Sequence, residues 1–166
     1  QPLEEVIGSS LASCSSLLVG HPVKVDLAAN LPLLNFDAVL IERVLINLLE
    51  NASKYTPPEC PIHIHARLSG EQVVMTVDDE GPGLPKGGEA RIFEKFERGT
   101  REAAIPGVGL GLAICQAIVN AHGGIIHAEN RELAGKILGA RFEIMLPVGT
   151  PPSDDGSSVA TIHHLE

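Results

Sequence analysis

The sequence predicts a two-layer α/β sandwich, a mixed sheet covered on one face by about three helices. Three observations carry this. Two long segments, near 37–55 and 109–122, repeat their apolar residues at helical spacing. Five short runs alternate apolar and polar residues as strands do. With 166 residues, 44% hydrophobic and 20% charged, the chain can bury one ordinary core.

In chain order, Pro2 to Val19 reads as an amphipathic helix with Leu3, Val6, Ile7, Leu11, Leu17 and Leu18 on its apolar side, ended by Gly20-His21-Pro22. Val23, Val25 and Leu27 alternate with Lys24 and Asp26 as a strand. Asp37 is placed as N-cap of a long helix that Thr56-Pro57-Pro58 stops after Tyr55. Ile62 to Leu68 and Gln72 to Val77, joined through Ser69-Gly70, read as a hairpin. Asp78 to Gly88 is a turn region, Ile92 to Phe96 a short helical piece, and Gly99 to Gly107 a loop with few apolar anchors. A helix from Gly109 to His122 ends at Gly123-Gly124. Ile125 to Asn130 and Ala140 to Leu146 read as the last two strands. The expected division is a helical segment over 1–20, one domain over 21–148 and a disordered tail over 149–166.

The formal net charge of -9, with no local Lys/Arg cluster, disfavours nucleic acid as a partner. No apolar run approaches the ~20 residues of a membrane-spanning helix, so no direct membrane insertion is expected. Cys14, Cys60 and Cys115 form no CxxC pair and read as reduced thiols, with Cys115 in the core.

Three motifs are candidates for chemistry. On the long helix, Asn47, Asn51 and Lys54 share a stripe flanked by Arg43 and Glu50, opposite Ile41, Leu45, Leu48, Leu49 and Ala52. Asparagine weakens a helix, but its amide oxygen is a neutral, hard ligand suited to Mg²⁺. A solvated face with two chance asparagines accounts for the stripe equally well. Next, Asp79-Glu80-Gly81-Pro82-Gly83 follows a strand end. A carboxylate there can accept from an exocyclic amine such as adenine N6, with glycines allowing close backbone approach. An ordinary turn uses the same residues. Last, Gly107-Val108-Gly109-Leu110-Gly111 opens a helix, where N–H groups and the positive dipole end suit phosphate. A flexible loop with helix-start glycines is the plain alternative. The spacing fits neither the dinucleotide fingerprint nor a P-loop.

Taken in order, Asn47 to Tyr55, Asp79-x-Gly81-x-Gly83, Phe93-x-x-Phe96 and Gly107-x-Gly109-x-Gly111 resemble the N, G1, F and G2 boxes of histidine kinases, in the superfamily that includes DNA gyrase B, Hsp90 and MutL. The resemblance covers about 21–148, and the runs Ile92 to Gly99 and Ile105 to Gly124 look most like its potassium-responsive sensors.

The resemblance implies a Bergerat-type sandwich binding ATP and Mg²⁺. By similarity, Asn51 is the main Mg²⁺ ligand, with Asn47 beside the metal or phosphates, Lys54 on phosphate and Tyr55 against adenine. It implies that Asp79 accepts from adenine N6, with Gly81 and Gly83 shaping that end. Phe93 and Phe96 anchor a lid, from which Arg98 or Arg101 reaches phosphate. Gly107, Val108, Gly109, Leu110 and Gly111 offer backbone donors. Where many members carry Ser or Thr in the last strand, this chain has Gly139-Ala140-Arg141, which puts a hydroxyl contact there in doubt.

The implied reaction is γ-phosphate transfer to a histidine on a separate dimerisation domain, for relay to a response regulator, in the cytosolic part of a membrane-anchored sensor. The histidines here, His21, His63, His65, His122, His127, His163 and His164, are none of them followed by an acid, so the acceptor lies outside this chain. His122 reads as a partner of its helix's negative end. Two other readings stay open. A clamp ATPase of the gyrase, Hsp90 or MutL kind needs a carboxylate to orient water; the matching position is Asn47, with Glu50 at the stripe's edge. A nucleotide-binding module without phosphotransfer is the other.

Overall fold

The computed structural model describes residues 1–85, 87–89, 91–94 and 108–149, with the side chains of 108–110 left aside. Among these residues, five strands form one mixed sheet in the order β1-β2-β3-β5-β4. They are β1 (Val23–Leu27), β2 (Ile62–Ser69), β3 (Gln72–Asp78), β4 (Ile125–Leu133) and β5 (Lys136–Pro147). β1 runs parallel to β2, and every other pairing is antiparallel. Among the described residues, three α-helices, α1 (Leu3–Ser13), α2 (Ala38–Tyr55) and α3 (Val108–Ala121), complete the two layers. No helix among the described residues is long and apolar enough to cross a membrane.

α2 forms for reasons visible in its sequence. Asp37 Oδ1 accepts from the Leu40 N–H at 3.1 Å, satisfying one of the helix's orphan donors. Ile41, Val44, Leu45, Leu48, Leu49 and Ala52 then recur at helical spacing and are all buried. Thr56 leaves the helix in extended backbone, as a residue before proline must. On the sheet, Val73, Met75 and Val77 of β3 and Phe142, Ile144 and Leu146 of β5 alternate into the same core.

α1 is shorter than its apolar pattern suggests. It ends at Ser13, and turns occupy Cys14 to Gly20. The run Ser13-Cys14-Ser15-Ser16 supplies weak helix formers that compete for backbone partners. Its Leu3, Val6 and Ile7 belong to the common core, and Ser9 and Ser13 donate to Glu42 of α2. The last hairpin is longer than predicted. Its strands run to Leu133 and from Lys136, closed by Ala134 and Gly135, both at positive φ (53° and 79°). Two such residues make the tight turn whose twist matches the strands. Ile92 and Phe93 lie in a 3₁₀ turn over Arg91–Phe93 rather than an α-helix.

His122 meets the end of its helix, as expected, and also reaches α2. Its Nδ1 sits 2.7 Å from the Ile118 carbonyl, and Nε2 accepts from the Asp37 N–H at 3.1 Å. His122 is therefore a tie from the last carbonyls of α3 to the start of α2.

Candidate functional site

The candidate residues gather along one side of α2. Asn47 is half-buried at mid-helix, Asn51 one turn on is only 5% exposed, Lys54 is exposed, and Tyr55 closes the helix partly buried. A buried asparagine on a helix is unlike the solvated face that was the plain alternative. About 12 Å of helix separates Asn47 from Tyr55.

The glycine turn comes to one end of this stripe. A Cβ added to Gly81 would stand 2.6 Å from the Tyr55 carbonyl, so only glycine lets the turn pass so close to the helix end. Thr56 Oγ1 accepts from the Glu80 N–H at 3.4 Å. Gly83 is buried with φ 85°, a conformation that favours glycine.

The glycine-opened helix comes to the middle of the stripe. Val108, Gly109 and Leu110 form the first turn of α3. A Cβ on Gly111 would meet the Asn47 side chain at 3.7–3.9 Å, in ordinary contact. The N-terminus of α3 therefore adjoins Asn47, and a helix N-terminus, whose first N–H groups have no partner within the helix and whose dipole end is positive, favours anions. Phe96, Arg98, Arg101, Gly107 and the expected loop from Gly99 to Gly107 lie outside the described residues, as does the tail from residue 150. Phe93 is buried and meets Phe142 edge-on, centroids 6.2 Å apart.

Asp79, 1% exposed, is held from three directions. Its Oδ1 accepts from the N–H groups of Gly81 and Ala140, each at 2.9 Å, and its carbonyl accepts from Arg131 Nη1 at 2.8 Å. Its neighbour Asp78 points to the other sheet face, where Arg141 grips it through Nε and Nη2 at 2.7 and 2.8 Å. That fork raises the Arg141 pKa, chiefly through the hydrogen bonds to Asp78.

Sequence reasoning missed Thr56, Asn130, Arg131 and the Asp78–Arg141 pair. The one local signal was Asp78-Asp79 itself: adjacent residues of a strand point to opposite faces, so two acids there need two different environments. The Gly139-Ala140 departure has a structural reason. A Cβ on Gly139 would overlap the Asp79 carbonyl, and the Ala140 N–H binds the Asp79 carboxylate.

A metal ligand must offer the right donor set, and the α2 stripe offers the amide oxygens of Asn47 and Asn51. That suits an ion taking most of its ligands from phosphate and water. The open sheet face carries a different group, His127, Glu129 and Glu143, with ligand atoms within 4.8 Å of one another. Cys115 is fully buried on α3, and burial pushes its thiol up to about 11.

Residues 36–150 match the family described as histidine kinase-, DNA gyrase B- and HSP90-like ATPases. The chain is 51% identical over 150 residues to the sensor protein KdpD of Escherichia coli, covering 90% of this chain and 16% of that protein. It is 41% identical over 126 residues to the alginate biosynthesis sensor protein KinB of Pseudomonas aeruginosa, 76% of this chain and 20% of that one. Among solved structures, the mycobacterial sensor histidine kinase MprB superposes with a TM-score of 0.76 at 28% identity, covering 87% of this chain and 93% of that one. The catalytic domain of histidine kinase ThkA gives 0.76 at 27%, covering 89% and 94%. The chain thus spans under a quarter of the curated relatives' own length.

Proposed function

Because the chain belongs to the family of histidine kinase-, DNA gyrase B- and HSP90-like ATPases, as an ATP-binding domain of the sensor histidine kinase type, we propose that it holds Mg²⁺-ATP along α2 and delivers the γ-phosphate to a histidine on a separate dimerisation domain. The observation that carries this is the convergence on one helix side: Gly111 against Asn47, Gly81 against Tyr55, and buried Asn51 between them.

In this reading Asp79 and the Gly81–Gly83 turn take the adenine, with Tyr55 beside it. The α3 N-terminus, from Gly107 through Val108, Gly109, Leu110 and Gly111, takes the phosphates, helped by Lys54 and by Phe96 and Arg98 of the segment before it. Asn51, with Asn47, holds Mg²⁺, which when bound offsets phosphate charge. Catalysis of phosphoryl transfer is mainly positioning and charge neutralisation, and these residues supply both. The helical segment 1–20 joins the domain to its dimerisation partner, the product passes to a response regulator, and the parent is a membrane-anchored sensor with this part in the cytoplasm.

The clamp-ATPase alternative needs a carboxylate where Asn47 stands, and the solved structures reported above are histidine kinases. The test is incubation with γ-labelled ATP and Mg²⁺, with and without the helical dimerisation domain of the parent. Label on that domain's histidine is expected. Steady phosphate release near 1 s⁻¹, an ordinary enzyme rate, with no labelled histidine would overturn the reading.

A further inference from the structure

We infer that Asn130 and Arg131, neighbours on β4, are positioning residues for base recognition, tying down both ends of the turn from Asp79 to Leu84. The inference rests on the reading of that turn as the adenine end of the site.

β4 is an edge strand, and β5 lies between it and β3. Two strand spacings, about 10 Å, therefore separate β4 from the strand that leads into the turn. Arg131 crosses this distance because its partner in register is Gly139, which has no side chain in the way. Its Nη1 donates to the Asp79 carbonyl at 2.8 Å, and its Nε lies 3.6 Å from the Asp78 carboxylate.

Asn130 holds the far end. It pairs in register with Ala140, whose N–H binds the Asp79 side chain. The Asn130 amide reads both polar groups of one residue: Oδ1 accepts from the Leu84 N–H at 2.6 Å, and Nδ2 donates to the Leu84 carbonyl at 3.1 Å. Gly83 fits beneath it, since a Cβ there would stand 2.6 Å from Asn130 Oδ1. The turn is thus fixed at Asp79 and at Leu84, with Gly81 and Gly83 between. A recognition group works when its support is held. Loosening the turn leaves the phosphate-binding stripe of α2 and α3 in place but frees the Gly81 N–H, one of the two donors that aim the Asp79 carboxylate.

The test is titration calorimetry of Asn130→Ala, Arg131→Ala and Arg131→Lys with Mg²⁺-ATP and Mg²⁺-GTP, each variant checked by thermal unfolding. The wild type should prefer ATP. Both alanine variants should cut the ATP:GTP affinity ratio about 10-fold by losing ATP affinity alone, a loss in the range of one charge-assisted hydrogen bond. Arg131→Lys, which keeps a cationic donor, should recover most of the ratio. An unchanged ratio, or equal loss for both nucleotides, marks support of the fold alone and overturns the inference. Should an alanine variant fail to fold, Asn130→Asp carries the same comparison, because a carboxylate accepts from the Leu84 N–H but cannot donate to its carbonyl. A wild type that does not distinguish ATP from GTP removes Asp79 from the base site, a failure of the underlying reading rather than of the β4 clamp.

Discussion

Asp79 and Ala140 exchange two hydrogen bonds: the Asp79 N–H donates to the Ala140 carbonyl, and the Ala140 N–H donates back to the Asp79 carboxylate, each at 2.9 Å. The carboxylate stands in for the backbone carbonyl that would continue the β3–β5 ladder beyond Asp78 and Arg141. The ladder ends, the chain turns away, and the side chain is fixed at the rim of the sheet.

This geometry separates recognition from folding. In Asp79→Asn the amide oxygen still accepts from Ala140 and Gly81, so the turn should persist. The charge is lost, and the NH₂ group can face a 6-oxo base. The wild type should favour ATP over GTP by on the order of 10- to 100-fold, the worth of a hydrogen bond to a charged group. The variant should lose that preference with a melting temperature near wild type. Competition binding with both nucleotides measures it, and an unaltered preference would remove Asp79 from the base site.

His122 ties α3 to α2 through two bonds of its ring, to Ile118 and Asp37. His122→Ala should lower stability by roughly 0.5–1.5 kcal/mol, the net worth of one hydrogen bond, because water can reach the exposed Asp37 N–H that loses its imidazole acceptor. Urea unfolding checks this. The ATP:GTP ratio should not move, because the residue lies at the far end of both helices from the adenine turn.

Gly139 sits at φ 154° with the Asp79 carbonyl where a Cβ would be. Gly139→Ala should therefore push β5 off the turn, costing about 1–3 kcal/mol, the usual range for overpacking. Gly135, also at positive φ (79°) but with open space around it, should cost less on the same change. Equal effects in thermal unfolding would mean that backbone strain, not the close approach, sets the cost.

The thiols give a prediction in pH. Burial raises Cys115 from an ordinary 9.0 to about 11. A folded pKa above the unfolded one means that the unfolded chain loses its proton first. The associated stability is intact below about pH 9 and declines as pH rises towards 11. At pH 8 a thiol reagent should modify partly exposed Cys60 in the native protein and reach buried Cys14 and Cys115 only on unfolding. Rapid native labelling of all three would show that α3 opens readily.

Much of the frame was legible because its signals are local. The Asp37 cap, the apolar stripe of α2 and the stop at Thr56-Pro57 all lie within one segment, and the observed helix keeps those limits. Alternation likewise gave β2 and β3 almost to the residue. Local signals also misled: the apolar positions Leu17 and Leu18 extended α1 past serines that end it. The supports of the turn were not legible. Arg131 reaches Asp79 across 52 positions, and Arg141 reaches Asp78 across 63. Both depend on β5 lying between β3 and β4, which no periodicity encodes. The motif order brought Asn47, Gly81 and Gly111 under suspicion, but the meeting of Gly111 with Asn47 and of Gly81 with Tyr55 is a property of packing.

The most direct test of that meeting is titration calorimetry with a non-hydrolysable ATP analogue, with Mg²⁺ and with the metal chelated, on the wild type and on Asn51→Ala. Alanine favours the helix and leaves the apolar stripe untouched, so the variant should fold. The account predicts one site per chain, an affinity at least about 10-fold weaker without Mg²⁺, and an Asn51→Ala variant whose weak binding no longer responds to the metal. Wild-type binding that is indifferent to Mg²⁺, or an Asn51→Ala variant that keeps the full Mg²⁺ response, would contradict it.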